Sequence, residues 1–376
     1  MKKIIALLLA LTAVISLAAC KQQQEEETPV VNAVREILQV EPEETLLSID
    51  GNELSVGIYL YQFLYSCEYV RQNYGYYCTD ENGEFLWDQE LDTGYTVTDF
   101  LAEATEGNTL AYAIVENMAK ENGVELTEAD KADLEESLQS FVQDVGGEDA
   151  YRETLGRNGL TWEDNQRLAE SYYYYMGLLE LCVKEGSGLY IPDDVLYGYH
   201  DMSGAAFTEE TIMADHILLK TSGDREADKA LRERMEEMKK TIEEAEDPVA
   251  KFAELADQNS EDPGRAYYTD GYAFGRGQMV APFEEAAYAL EEYEISDIVE
   301  SEHGYHLILR KPLREFVKVD YLQNLMMERQ ETAGIQWNEE LKAKIDLRQF
   351  YDAYVEWLDA QLEDSQDSGT DQDVQK

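Results

Sequence analysis

The chain has 376 residues, is 44% hydrophobic, and sets 80 acidic side chains against 30 basic ones for a formal charge of −50 at pH 7. That excess excludes nucleic acid as a partner, since affinity there rests on neutralised phosphates. It equally excludes a basic patch as the means of holding an anionic lipid surface. The length and apolar content suffice for two hydrophobic cores, and the charge itself reads as solvated surface.

At the N-terminus, Lys2 and Lys3 precede an apolar run from Ile4 to Ile15 and then Leu17-Ala18-Ala19-Cys20. A charged start, an apolar core too short to span a bilayer and small residues before a cleavage point make residues 1–19 a secretory signal. The Leu-Ala-Ala-Cys end resembles a bacterial lipobox. It implies cleavage before Cys20 and diacylation of its sulfur, and two or more acyl chains anchor a protein stably. Cleavage removes Lys2 and Lys3 and takes the charge to −52. Residues 20–44 are expected to form a flexible, solvated tether. The mature protein is then lipid-anchored on the extracytoplasmic face of a cell membrane, in a bacterium of the Gram-positive type.

Thr45 to Asn52 reads as a short strand ending in a tight Asp50-Gly51 turn. From Ser55, a plausible cap, the period becomes helical, with Val56, Tyr59, Leu60, Phe63, Leu64 and Cys67 on one face. Residues 74–96 form a tyrosine- and acid-rich insertion read as a solvent-facing hairpin or loop. Its Asp80-Glu81-Asn82-Gly83-Glu84 has the glycine misplaced for a calcium-binding EF-hand loop. Cys67 and Cys78 lie eleven positions apart around Gly75-Tyr76-Tyr77. They can be a loop-closing disulfide or two buried free thiols. An odd count after Cys20, with no Cys-x-x-Cys, argues against a redox or zinc site.

More helices follow. Phe100-Leu101-Ala104 and Ile114-Val115-Met118 mark one or two. Leu134, Leu138, Phe141, Val142 and Val145 mark another, entered at Thr127-Glu128 and ended by Gly146-Gly147. Leu168, Tyr172, Tyr175, Met176, Leu179 and Val183 mark a third after the cap Thr161. In the run Tyr172 to Tyr175, Tyr172 and Tyr175 are expected in the core and the other two on an amphipathic surface.

Residues 212–220 form a mostly apolar strand with Ala214, His216 and Leu218 on one face. A helix carries Ala227, Leu231, Met235, Met238 and Ile242 at 3–4 spacing. Another carries Phe252, Leu255 and Ala256 after Pro248. The loop Ser260-Glu261-Asp262-Pro263-Gly264 leads to an extended Tyr272-Ala273-Phe274 and the turn Gly275-Arg276-Gly277. Pro282 suits the first turn of a helix burying Phe283, Ala286, Ala287 and Leu290. Segments Ile295–Val299 and Tyr305–Leu309 complete four strands of an α+β domain. Three of the four histidines fall in Asp215-His216-Ile217-Leu218-Leu219-Lys220 and His303-Gly304-Tyr305-His306-Leu307-Ile308.

The order of a histidine strand, an acidic Asn259-Ser260-Glu261-Asp262 loop, a Gly277-Gln278-Met279 turn and a second histidine strand resembles the parvulin family of peptidyl-prolyl isomerases over roughly residues 211–312. Upstream, Ala119 to Thr127 and Gly146 to Thr161 resemble the N-terminal helical domain of SurA- and PrsA-type foldases. The resemblance implies an α+β chain in which a parvulin domain (208–313), with a four-stranded antiparallel sheet and packed helices, is inserted into a discontinuous helical chaperone domain. That helical domain takes residues 45–207 and is completed by helices in 314–362, with a disordered acidic tail at 363–376.

By the same resemblance, Met279 and Phe283 supply a proline pocket, one helical turn apart, and Tyr272 or Gly271 replaces an aliphatic pocket wall. His216 and His306 are the paired imidazoles behind it. Asp262 faces the carbonyl, and Ser301 takes a small hydroxyl position before the last strand. Rotation about an X-Pro bond breaks amide resonance, with a barrier of about 20 kcal/mol. It asks for a dry pocket and fixed polar groups, so no cofactor and no metal are expected. The implied partners are unfolded or partly folded secreted polypeptides and the membrane through Cys20, with no nucleic acid and with a homodimer left open. The loop after Lys220 lacks clustered arginines, which argues against phospho-Ser/Thr-Pro specificity. Rival readings are a non-catalytic chaperone with a degenerate parvulin domain and a solute-binding lipoprotein.

Overall fold

The computed structural model describes residues 31–201 and 203–370, the side chains of 362–370 excepted. In chain order the elements are α1 (Ala33–Leu38), β1 (Thr45–Ile49), β2 (Asn52–Ser55), α2 (Val56–Cys78), β3 (Glu90–Asp92), β4 (Tyr95–Thr96), α3 (Val97–Asn122), α4 (Glu128–Asp144), α5 (Glu148–Arg157) and α6 (Trp162–Val183). Then come α7 (Asp193–Leu196), β5 (Ile212–Leu219), α8 (Arg225–Glu243), α9 (Pro248–Asn259), β6 (Tyr272–Phe274), α10 (Ala281–Ala289), β7 (Val299–Ser301), β8 (Gly304–Lys311), α11 (Leu313–Thr332), β9 (Ile335–Trp337), α12 (Glu339–Lys342) and α13 (Leu347–Thr370). The chain is thus α+β. It divides into two compact units, one discontinuous (up to Leu178, and from Asn324 on) and one continuous (Leu179–Gln323), the latter beginning 29 residues before the expected limit of 208 and ending 10 after that of 313.

The discontinuous unit is mainly helical, with a hairpin of β1 and β2 after α1. Asp50 and Gly51 both have positive φ, +51° and +84°, as a two-residue hairpin turn requires. The other edge of β1 pairs antiparallel with β9, so the sheet order is β2-β1-β9. Ser55 caps α2 by accepting from Ile58 N–H at 3.0 Å and donates to the buried Asp164 carboxylate at 2.8 Å. Thr96 with Asp99, and Thr127 with Asp130, build reciprocal capping boxes that start α3 and α4.

Several expectations change here. Residues 32–40 are not tether. Asn32 caps α1 and donates to Leu160 C=O at 3.1 Å, while Ala33 and Val34 are fully buried. Their apolar spacing gives the segment a face to bury. Residues 74–78 continue α2 rather than forming a loop, so Cys67 and Cys78 sit on one helix, about 16 Å apart along its axis. No disulfide can join them, and both are free and buried. Phe100 through Met118 belong to one helix. On α6 the buried line is Leu168, Ser171, Tyr175, Leu178 and Cys182, whereas Tyr172 and Met176 are exposed. Ala169 and Leu179, one residue past this line, are buried as well, so the outward turn is confined to the middle of the helix. Within 314–362, where only helices were expected, Ile335–Trp337 forms a strand, β9, and Trp337 packs edge-on against Tyr59. α13 runs to Thr370, past the expected end at 362. Extending an existing helix fixes only one residue per added hydrogen bond. The signal segment, Cys20 and residues 371–376 lie outside the described residues.

In the continuous unit the four-stranded sheet has the order β6-β5-β8-β7, antiparallel throughout. One face carries Ile217, Leu219, Leu307 and Leu309 against Met235, Met238 and Ile242 of α8 and Phe252 of α9. The other carries Ile212, Ala214, Tyr272, Phe274 and Ile308 against Phe283 and Ala287 of α10. Covered on both faces, β5 is buried at all eight positions. The third strand lies at Val299–Ser301 instead of Ile295–Val299; Ile295 makes only an isolated bridge to Leu309.

Candidate active site

Alternation along β5 and β8 puts His216 and His306 on the α10 face of the sheet. His216 pairs across the ladder with Ile308, and His306 with Leu218. The two imidazoles are therefore diagonal neighbours, their centroids 5.3 Å apart. Phe283, near the start of α10, meets both rings edge-on at 5.2 and 5.4 Å. The Tyr272 ring stacks on His216 at 5.8 Å. Met279 and Val280 pack half-buried on the same cluster. Met279 precedes α10 instead of sharing a helical turn with Phe283, because Val280 caps the helix and Pro282 stands in its first turn.

The acidic loop is laid along β5 by its own polar groups. Leu218 N–H donates to Ser260 Oγ at 3.1 Å, Glu261 N–H to Leu218 C=O at 2.8 Å, and Lys220 N–H to the Glu261 carboxylate at 2.6 Å. This delivers Asp262 to His216, with Oδ2 3.6 Å from Nε2. Asp262 Oδ1 accepts from Gly264 N–H at 3.1 Å, and the Tyr272 hydroxyl donates to Oδ2. On the other side of the pair, Ser301 Oγ and His306 Nε2 share a hydrogen bond of 2.7 Å, and Ser301 also accepts from His303 N–H.

Burial sets the charge state. His216 and His306 are 8% and 3% exposed, and the Nδ1 of each is buried without a hydrogen-bond partner among the described residues. Desolvation pushes the His216 imidazole down to about 4, with Asp262 opposing and Arg265 adding to the shift. His306 is pushed down to about 4 by burial and by the neighbouring His216 and His303, against Asp262. Burial, and then donation to Asp262, raises the Tyr272 phenol well above its ordinary value. Near neutral pH the site thus offers two uncharged imidazoles, two hydroxyls and a carboxylate around a wall of Phe283, Met279 and Tyr272. The arrangement has what a neutral amide would need, an apolar seat bordered by fixed dipoles.

All seven candidate residues, His216, Asp262, His306, Ser301, Met279, Phe283 and Tyr272, come together at this face. Of the two alternatives, Tyr272 packs on the His216 ring, while Gly271 lies close against the β5 backbone at Ala214. Four further residues went unread in the sequence. Tyr268 packs on Tyr272 with the rings tilted at 45° and centroids 5.1 Å apart, Gly264 gives space to the Tyr272 hydroxyl, and Arg265 pairs with Asp215 at 2.7 Å. Their only signal was chemical oddity: an acid inside an apolar strand and an arginine beside an acidic loop.

Residues 216–311 match the family model of the PPIC-type PPIase (rotamase) domain. The foldase protein PrsA of Halalkalibacterium halodurans is 30% identical over 233 residues, which cover 60% of this chain and 65% of that protein. The foldase protein PrsA of Staphylococcus aureus is 30% identical over 182 residues, covering 46% and 50%. The chain therefore spans less than two thirds of the first relative's length, 65%, and half of the second's. Among solved structures, Pin from the psychrophilic archaeon Cenarchaeum symbiosum is 38% identical, with 28% of this chain and 95% of that chain covered and a TM-score of 0.19. PrsA from Bacillus subtilis is 18% identical, with 70% and 88% covered and a TM-score of 0.25. Residues 216–311 are a PPIC-type rotamase domain, carried by a chain similar to the PrsA foldases.

Proposed function

We propose that this chain is a foldase that catalyses cis/trans isomerisation of X-Pro bonds in secreted or cell-surface polypeptides. One observation carries the reading: a neutral, buried histidine pair walled by Phe283, Met279 and Tyr272, with Asp262 and Ser301 each beside one imidazole. A proline ring seated on Phe283 leaves its water shell, and a desolvated amide rotates more easily than a hydrated one. As the amide twists, its nitrogen becomes pyramidal and more basic, and fixed dipoles around the carbonyl favour that geometry over the planar one. Attachment to the outer face of a membrane through lipid on Cys20, and a holdase role for the helical unit, belong to the same proposal. They rest on the lipobox and on the similarity to PrsA.

The test is exchange spectroscopy of Ala-X-Pro-Phe peptides with the full chain. Acceleration over the uncatalysed rate is expected, with about a tenfold or greater loss in His306→Ala and in Met279→Ala. Wild-type rates equal to the free peptide would sink the reading. A second reading, a binding protein without turnover, is favoured by one feature: the Tyr272 hydroxyl already occupies Asp262. It predicts peptide binding without exchange.

A further inference from the structure

We propose that the buried Asp215–Arg265 ion pair is a positioning pair for this site, fixing the loop that carries Asp262 against the strand that carries His216. The inference rests on the isomerase reading. Asp215 directly precedes His216 on β5, so its side chain leaves on the opposite face, away from the imidazoles. That face is otherwise apolar, with Ile217 and Leu219 fully buried. Even so, Asp215 is 6% exposed and Arg265 13%, with Nη1 and Oδ1 2.7 Å apart.

The same Asp215 Oδ1 accepts from the His216 N–H at 2.7 Å. Arg265 reaches further, with Nε and Nη2 donating to Asp257 Oδ1 on α9 at 3.0 and 2.7 Å. One planar guanidinium thus joins three segments: the strand one residue before His216, the helix behind it, and the 3-10 turn Pro263–Ala266 that follows Asp262. A lysine could satisfy one of these partners but not the fork.

Buried pairs of this kind give little net stability over an apolar filling and are best used to fix register. Here the register is the 3.6 Å between His216 and Asp262. Neither member touches the face on which a peptide would sit, so both act through the groups they place.

The test is a double-mutant cycle in the full chain, with Arg265→Ala made alone and on an Asp262→Ala background. Two quantities are read: turnover on an X-Pro peptide, and the ring signals of His216 in labelled-histidine spectra, which four histidines keep simple. Alone, Arg265→Ala should lower kcat about tenfold with KM little changed, and displace the His216 signals. On the Asp262→Ala background the loss in kcat should shrink to about twofold or less, because no carboxylate remains to be placed. Arg265→Lys should fall between. The same fold-loss on both backgrounds, or His216 signals unmoved by Arg265→Ala, would overturn the proposal. If wild type does not accelerate exchange, the isomerase reading fails, while the His216 signals still decide the positioning claim. If Arg265→Ala does not fold, the neutral pair Asp215→Asn with Arg265→Gln takes its place in the cycle under the same criteria.

Discussion

Gly271 has φ +110°, and a Cβ there would stand 2.6 Å from the Ala214 carbonyl oxygen. Both backbone strain and a clash with a rigid neighbour oppose any side chain. Gly271→Ala should therefore destabilise the continuous unit by roughly 2–4 kcal/mol, read as a lowered denaturant midpoint. The two imidazoles make a second residue-scale case. Folding lowers both from 6.5 to about 4, so the native state favours their neutral forms. Their contribution is complete above about pH 6.5 and is lost as pH falls through about 4, where the unfolded chain has bound protons that the folded one resists. The denaturant midpoint should drop across that window, and His306→Gln should flatten the drop.

The residues of the site were legible because two of only four histidines stand on adjacent strands, with an acidic loop and a Gly-Gln-Met turn in fixed order between them. Gly264 and Arg265 were not. Their roles exist only once the loop folds onto β5 and Tyr272 arrives from another strand.

At the scale of elements, the tail completes the helical unit. β9 adds the third strand to β1, and α13 brings Phe350 and Tyr351 onto Phe63 of α2, their centroids 6.3 Å from it. Phe350 is 1% exposed, and Tyr351 also meets Phe85 and Trp87. Phe350→Ala should cost about 3–5 kcal/mol in the stability of this unit. Thermal melting of the full chain should show one transition lowered, with X-Pro exchange at 25 °C retained. Helices and their caps were readable from local pattern, as Ser55, Thr127 and Thr161 illustrate. The register of β9 was not, because three residues carry no period of their own and their partner strand lies nearly three hundred positions upstream. The continuation of α2 through Gly75 was missed for a related reason. Glycine weakens a helix by only about 1 kcal/mol, which packing along the rest of the helix readily offsets.

At the scale of the whole molecule, the charge of −50 shapes which chains it meets. Phosphoserine before proline adds negative charge, and no arginine cluster follows Lys220 to receive it. Exchange on a phosphopeptide should be no faster than on its serine or glutamate counterpart; a clear preference for phosphate would refute this. Cys20→Ser should yield an unprocessed or soluble product, visible by fractionation and mass, and a mutant that still carries lipid would refute the lipobox.

Finally, Cys67, Cys78 and Cys182 are 2%, 1% and 0% exposed. Burial raises all three thiols well above their ordinary value, so little thiolate exists at neutral pH. An alkylating reagent can therefore modify them only when the surrounding structure opens. The first two belong to the discontinuous helical unit and the third, in the last turn of α6, to the continuous unit. Native-state labelling followed by peptide mass mapping then times the breathing of each unit separately, with no engineered probe. A client or proline peptide that steadies one unit would slow one clock and leave the other running.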